Sequence, residues 1–229
     1  MRKTNIYEFI GVIIGDGSLL YNQKRRVYRL EIAGNATEDY PYFLKLKQLM
    51  VKSMGYTPKI RFRTHKKGRS ICLYLDNKKF LEFMKSLDLP FGKKTFTITI
   101  PSNFLNWKYS KHIIRGIFES DGSLYFSKSK ITTNKPTYPR IEIKTSSEKL
   151  VYQIKSILSE NGFSVQTIAP KRDKATKIYI SGERMLNKWI DEIGFSSRKN
   201  LTKYLYWDKL GYYTPRSTLR QRETLLKSP

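Results

Sequence analysis

Cysteine is almost absent from this chain: Cys72 is the single one in 229 residues. That excludes an internal disulfide and any zinc site built on cysteine, and fits an intracellular setting. Between Ile71 and Leu73, Cys72 is read as an ordinary strand residue. Histidine is nearly as scarce, and the separation of His65 and His112 does not suit a ligand pair. Long apolar runs are missing too. The longest is far short of the ~20 residues of a spanning helix, so no membrane is expected as a partner. The Met1-Arg2-Lys3 opening leads into a helix with no apolar core or small-residue cleavage site of a secretory signal. Negative charge is the last shortage: 19 Asp+Glu stand against 44 Lys+Arg, a net charge of +25. Such an excess attracts polyanions and speeds encounter with phosphate backbones, while leaving fold and chemistry open. The 39% hydrophobic and 14% aromatic fractions suffice for a packed core, which argues against wholesale disorder.

Against this background a short acidic signature occurs twice. Gly15-Asp16-Gly17-Ser18-Leu19 recurs 105 residues later as Ser120-Asp121-Gly122-Ser123-Leu124, each time closing an apolar, helix-like segment. A single Asp-Gly after a helix is usually a turn, with glycine in the left-handed conformation. Two copies in register need another reason. Small residues stand four apart in both segments, Gly11/Gly15 and Gly116/Ser120. Each pair lies on one helix face, and a glycine inside a helix costs about 1 kcal/mol relative to alanine. Close approach of the two helices would offset that loss and bring Asp16 and Asp121 together.

The repeat extends beyond the signature. Tyr28-Arg29-Leu30-Glu31-Ile32 matches Pro139-Arg140-Ile141-Glu142-Ile143, and Leu73-Tyr74-Leu75 matches Ile178-Tyr179-Ile180. The offset grows from 105 to 111, which places six extra residues in the intervening hairpin of the second half. Apolar residues spaced three and four apart predict three helices per half, on Ile6/Phe9/Ile10/Ile13, Tyr42/Phe43/Leu46/Leu49/Met50 and Phe80/Phe83/Met84/Leu87. The second set is Ile113/Ile114/Ile117/Phe118, Leu150/Ile154/Ile157/Leu158 and Leu186/Trp189/Ile190/Ile193. Alternating segments between them supply two hairpins per half, an αββαββα order twice over. The expected class is therefore α+β, with helices on one face of each antiparallel sheet. The expected divisions are 1–88 for the first half, 89–108 for a linker with Pro90, Gly92 and Pro101, 109–203 for the second half and 204–229 for a basic tail.

Alternation also assigns faces. Tyr28, Leu30 and Ile32 point to the helices and Arg29 and Glu31 away; Ile60 and Phe62 point in and Arg61, Arg63 and His65 out. In the second half Arg140, Glu142, Lys144, Lys177 and Tyr179 point out. Two such basic sheets form a saddle, and a two-stranded ribbon fits a major groove.

With two signatures at domain spacing, each followed by the expected hairpins, the chain resembles the LAGLIDADG homing endonucleases in their monomeric, two-motif form, from about Tyr7 to Leu201. The resemblance implies motif helices at the central interface, sheets straddling the major groove, and a site-specific double-strand break leaving short 3′ overhangs. It implies divalent metal, Mg²⁺ with Mn²⁺ as a substitute, on the last acid of each motif, Asp16 and Asp121, and on the carbonyls of Gly15 and Ser120. Closely spaced Mg²⁺ on carboxylates suits phosphodiester hydrolysis: it activates water and stabilises charge on the phosphate and the leaving oxygen. Family members also carry a basic residue near the end of each repeat. Here the candidates are Lys94, with Lys93 as the alternative, and Lys199. The first motif has Ile14 and the second Glu119 where many members have an earlier acid; Glu119 is read as supporting the helix end rather than ligating. Expected DNA contacts are Ser18, Asn22, Lys24, Arg26, Arg29, Arg61 and Arg63, then Ser123, Tyr125, Ser127, Arg140, Lys144, Lys177 and Tyr179. Double-stranded DNA is the expected partner, bound by a monomer. An intron RNA is a second partner under the alternative reading, a maturase or non-cleaving DNA-binding protein on the same fold. The absence of protein-splicing blocks around the repeat favours an intron-encoded protein over an intein. A basic ribosome-associated protein fits the charge but leaves the twinned acids unexplained. Arg216, Arg220 and Arg222 in the tail are read as phosphate clamps or mobile residues.

Overall fold

The computed structural model describes residues 5–65, 68–128, 135–169 and 175–228. Helix α1, Ile6–Ile14, starts at Asn5, whose Oδ1 accepts the Glu8 amide at 2.9 Å and satisfies one unpaired donor of the first turn. Strands β1 (Gly17–Asn22) and β2 (Val27–Asn35), helix α2 (Tyr40–Met54), strands β3 (Lys59–His65) and β4 (Gly68–Asp76) and helix α3 (Lys78–Ser86) complete the first half. The second repeats the order with α4 (Trp107–Asp121), β5 (Gly122–Lys128), β6 (Pro136–Thr145), α5 (Glu148–Glu160), β7 (Val165–Ile168), β8 (Thr176–Ser181) and α6 (Glu183–Glu192). Two helices follow, α7 (Arg198–Leu210) and α8 (Leu219–Lys227). The sheets are antiparallel with orders β1-β2-β4-β3 and β5-β6-β8-β7, so the second half has the topology of the first.

Apolar residues of the strands' inner faces and of the helices form one core, with Leu30, Ile32, Leu73, Phe80, Ile141, Ile143, Ile178 and Trp189 all buried. Two expected core positions differ. Phe83 is 40% exposed and Leu81 takes the buried place beside Phe80 and Met84. Phe62 is 48% exposed because β3 is an edge strand; its ring meets the start of α2, at Tyr40, 5.5 Å between ring centres. Most of the six extra residues assigned to the second half's first hairpin fall within 129–134, outside the described residues, as does the side chain of His65.

At the centre α1 crosses α4 through small residues. A Cβ on Gly11 would overlap the Ile113 carbonyl oxygen, one on Gly116 the Glu8 carbonyl oxygen, and one on Gly15 the Ser120 hydroxyl. Backbone therefore lies on backbone, as the four-residue spacing of small residues required. The glycines of the Asp-Gly pairs are not the left-handed turn residues of an ordinary helix end. Neither Gly17 nor Gly122 has a positive φ. Each starts a strand that folds straight back on its helix, and a Cβ there would strike the Ile13 backbone or the Phe118 backbone and ring. Space, and not left-handed geometry, demands glycine at both.

The segments that leave α3 and α6 cross to the opposite half. In the linker, Ile98 and Ile100 are buried; the Ile98 carbonyl accepts Ser147 Oγ at 2.7 Å, and the Ile100 backbone pairs with the Gln153 amide at 2.8 and 3.0 Å. After α6, α7 runs through position 203, and α8 docks on it; no separate tail begins at 204. Arg222 is 1% exposed and hydrogen-bonded to Thr202, Glu38 and the Ser217 carbonyl, so it is a structural pin and neither a mobile residue nor a phosphate clamp.

Candidate active site and nucleic-acid interface

Because α1 and α4 end side by side, the two motif acids share one region. A Cβ on Gly15 would lie 3.0 Å from Asp121 Oδ2, so Asp121 reaches across to the end of the other motif helix. Both residues are exposed to solvent, with protein packed close enough to desolvate their carboxyls in part. Burial pushes Asp121 up to about 7, with the Asp16 charge adding to the rise and Lys94 opposing it. Asp16 is raised as well, by burial first and then by Asp39, against Lys199 and Lys94.

Lys94 comes from the linker. Its Nζ donates to the carbonyls of Ile13, Ile14 (2.7 Å) and Gly15 (2.9 Å), where the negative end of α1's dipole favours a cation. Burial lowers its ammonium to about 8, with Asp121 and Asp16 holding the proton on. Lys93 is exposed and makes none of these bonds, which separates the two candidates. A cleft of about 330 Å³ opens here, lined by Ile14, Gly15, Lys94, Asp121, Lys144 and neighbours.

Lys199 is placed differently. Its Nζ pairs with Asp39 at 3.1 Å in the turn before α2, and both charges bear on Asp16. The two ends of the site are thus unlike. One has a lysine on helix-end carbonyls, and the other a lysine on an extra carboxylate.

The donors present suit a hard cation. Asp16, Asp121 and the carbonyls of Gly15 and Ser120 are all oxygen, and burial raises both carboxyls, with the Asp39 charge adding at Asp16 and the Asp16 charge at Asp121, so a cation beside them would be favoured. Among the described residues no three of His, Cys, Asp and Glu cluster as a metal cage. Two carboxylates with carbonyls and water are what Mg²⁺ accepts.

Glu119 is occupied elsewhere. It takes the Ser196 and Ser197 amides at 2.6 and 2.9 Å, Asn200 Nδ2 at 2.7 Å and the Ser197 hydroxyl, anchoring the start of α7. Sequence reasoning missed a second buried carboxylate, Glu8, which is paired with Arg115 at 2.8 Å and bonded to Tyr42 at 2.7 Å and Ser196 at 2.9 Å. The signal was available: an acid and an arginine interrupt the apolar faces of the two motif helices. With both partners inside, this pair crosses the interface of the halves and fixes how α1 sits on α4.

Strand register puts Ser18, Asn22, Arg29, Arg61 and Arg63 on the outer face of the first sheet and Ser123, Tyr125, Ser127, Arg140, Lys144, Lys177 and Tyr179 on that of the second. Lys24 and Arg26 lie in the exposed β1–β2 turn. Acids hold several of these cations in place: Arg29 on Asp76 (3.0 Å), Arg63 on Glu31 (2.7 Å), Lys144 and Lys177 on Glu142 (3.4 and 3.9 Å). The more exposed of these pairs, Arg29 with Asp76 and Arg63 with Glu31, contribute little stability, so their effect is orientation. Tyr74, missed in the sequence, stacks between Arg61 (4.2 Å) and Arg29 (4.8 Å). Arg140 leans on Ser127 at 3.2 Å. Tyr179 is outward in register yet 7% exposed, beneath Glu142 and Tyr125.

Two αββαββα halves on one chain, meeting at paired acids, define the two-domain LAGLIDADG architecture. Residues 109–205 match the family model of the LAGLIDADG-like domain. The second half is therefore similar to that domain, and both halves share one αββαββα topology. Among solved structures, the homing endonuclease I-DmoI in complex with DNA and Mn superposes with a TM-score of 0.57 at 18% identity, covering 83% of this chain and 96% of that one. The homing endonuclease I-WcaI bound to its DNA recognition sequence gives 0.56 at 15%, covering 85% and 84%. In sequence, the replication factor C small subunit of Methanocaldococcus jannaschii is 27% identical over 206 residues, 86% of this chain. The chain spans 10% of the length of that relative. Among the described residues no helix is long and apolar enough to cross a membrane.

Proposed function

We propose that this protein is a site-specific homing endonuclease that binds a long, asymmetric double-stranded DNA target and cuts both strands across the minor groove, leaving short 3′ overhangs. The observation that carries this reading is the meeting of Asp16 and Asp121 at the ends of two crossed helices, with Lys94 on the adjoining carbonyls. I-DmoI was solved in complex with DNA and Mn and I-WcaI bound to its DNA recognition sequence, which supports the same use of the site here. Asp16, Asp121 and the carbonyls of Gly15 and Ser120 would hold Mg²⁺, with Mn²⁺ as a substitute. Bound there, the ion supplies Lewis-acid stabilisation of phosphate charge and lowers the pKa of water. Lys94, with a lowered pKa and an Nζ fixed by three carbonyls, can hold or pass a proton at the edge of the scissile phosphate. The outer-face arginines and lysines orient the duplex, and Arg29, braced by Asp76 and Tyr74, is set to read a guanine edge.

The test uses a target selected from randomised duplexes by binding in the presence of Ca²⁺ and cloned in a plasmid. Wild-type protein is expected to linearise it in Mg²⁺ or Mn²⁺ and to bind without cutting in chelator. Asp16→Asn and Asp121→Asn are expected to lose linear product while keeping affinity within about threefold, less than the ~1–3 kcal/mol of one base contact. Full cutting by either variant would overturn the paired-acid assignment.

A further inference from the structure

The two lysines beside the motif acids are held by unlike supports. Lys94 is fixed directly, through the carbonyls that end α1. Lys199 is instead fixed through Asp39, which lies in the turn between β2 and α2 with Oδ2 on the Asn35 amide at 2.8 Å. This acidic turn belongs to one half alone: where α2 is preceded by Glu38 and the N-cap Asp39, α5 is preceded by Ser146 and the N-cap Ser147. The turn is gripped from outside the repeat. Arg222 of α8 donates from NH2 to Glu38 Oε2 at 2.6 Å, and the Leu219 amide donates to Glu38 Oε1 at 2.8 Å. Arg222 Nε also bonds Thr202 at 3.0 Å, and Arg198 pairs with Glu223 at 3.1 Å, so α8 ties α7, which carries Lys199, to the turn that carries Asp39. A buried guanidinium with its carboxylate is a costly element to keep unless its geometry is used.

We propose that Arg222 is a positioning residue for one strand's cleavage: through Glu38 it sets Asp39 and Lys199 beside Asp16, whereas the end of the site at Lys94 and Asp121 does not depend on the C-terminal helix. This rests on the endonuclease reading. Loss of the grip converts a double-strand cutter into a nicking enzyme. Displacement of a positioned group by about 1 Å costs on the order of 10²-fold in rate, so an effect of at least about tenfold on one strand is expected.

The full-length protein is assayed on a supercoiled plasmid carrying the selected target, and on the duplex labelled on each strand in turn. Glu38→Gln, which keeps an acceptor for the Leu219 amide, and Arg222→Ala should both accumulate nicked circles. The slowed strand should be the same in both, and the same one that Lys199→Met leaves uncut. The other strand should stay within about twofold of wild type, a change too small to represent a lost positioning contact. Arg222→Lys, which keeps one donor to Glu38, should recover part of the loss. Thermal melting and DNA affinity measured in Ca²⁺ separate this from general unfolding: Glu38→Gln should bind like wild type. Equal slowing of both strands, a Lys199→Met variant that cuts both strands normally, or wild-type linearisation by Glu38→Gln would overturn the proposal. A wild-type protein that cuts neither strand would fail the endonuclease reading instead.

Discussion

Asp121 carries a charge that the folded chain by itself does not favour. Its pKa rises from 3.8 to about 7 because burial and Asp16 both oppose ionisation. A carboxyl raised on folding binds its proton more tightly in the folded state. Its contribution to stability is complete below the unfolded value and is lost as pH climbs through about 7. In chelator, the melting temperature of the wild-type protein is therefore expected to fall between pH 5 and pH 8, and Asp121→Asn should flatten that decline and melt higher at pH 8. Adding Mg²⁺ at pH 8 should raise the wild type and leave the variant nearly unmoved, since a ligand of the folded state stabilises only where it binds. A steeper decline in the variant, measured by calorimetry, would contradict this account of the site. At the same scale, Lys94 and Lys93 are adjacent and chemically alike. Only the path of the linker, pinned by the Gly92 amide on the Leu19 carbonyl at 3.0 Å, decides which one faces the acids.

At the scale of elements, the crossing of α1 and α4 sets the site, because both acids stand at the ends of these two helices. The contact is too close for a side chain: Gly116 lies under the Glu8 carbonyl and the Gly11 Cα. Gly116→Ala should force the helices apart and cost about 1–3 kcal/mol in urea unfolding, the range for overpacking. Cleavage should suffer more than stability, since both acids move together. An exposed control, Lys155→Ala, should stay within about 0.5 kcal/mol. A Gly116→Ala protein that folds and cuts like wild type would show that the helices yield freely. The outer faces of the sheets were legible by alternation, but the bracing of their cations was not. Arg29 meets Asp76, and Arg63 meets Glu31, only once β2, β3 and β4 are paired in register.

For the molecule as a whole, one chain presents two unlike sheets. In the first Tyr74 stacks between two arginines; in the second Glu142 gathers two lysines and lies beneath Tyr125. One protein should therefore bind one duplex, with an asymmetric footprint of about 20 base pairs, roughly one ~10-base-pair turn per half. Sedimentation of the protein with its selected target should give a 1:1 complex. A stoichiometry of two chains per duplex would require each chain to supply only one working half. The straps strengthen this expectation: the linker docks on α5 and the C-terminal helices on the β2–α2 turn, so each half is held by chain leaving the other.

The sequence by itself determined the duplication, the helix and strand order, the small-residue helix faces and the identity of the paired acids. These are written in local periodicity and in a repeat, and both survive without knowledge of long-range contacts. The tertiary structure alone decided how the acids are served. Lys199 meets Asp39, Glu119 meets the start of α7, Glu8 meets Arg115, and Arg222 meets Glu38 across separations of 160, 77, 107 and 184 residues. No period carries such pairings. They arise where charged groups are desolvated together, and the energy of an unpaired buried charge selects the partner only after the backbone has brought both into reach.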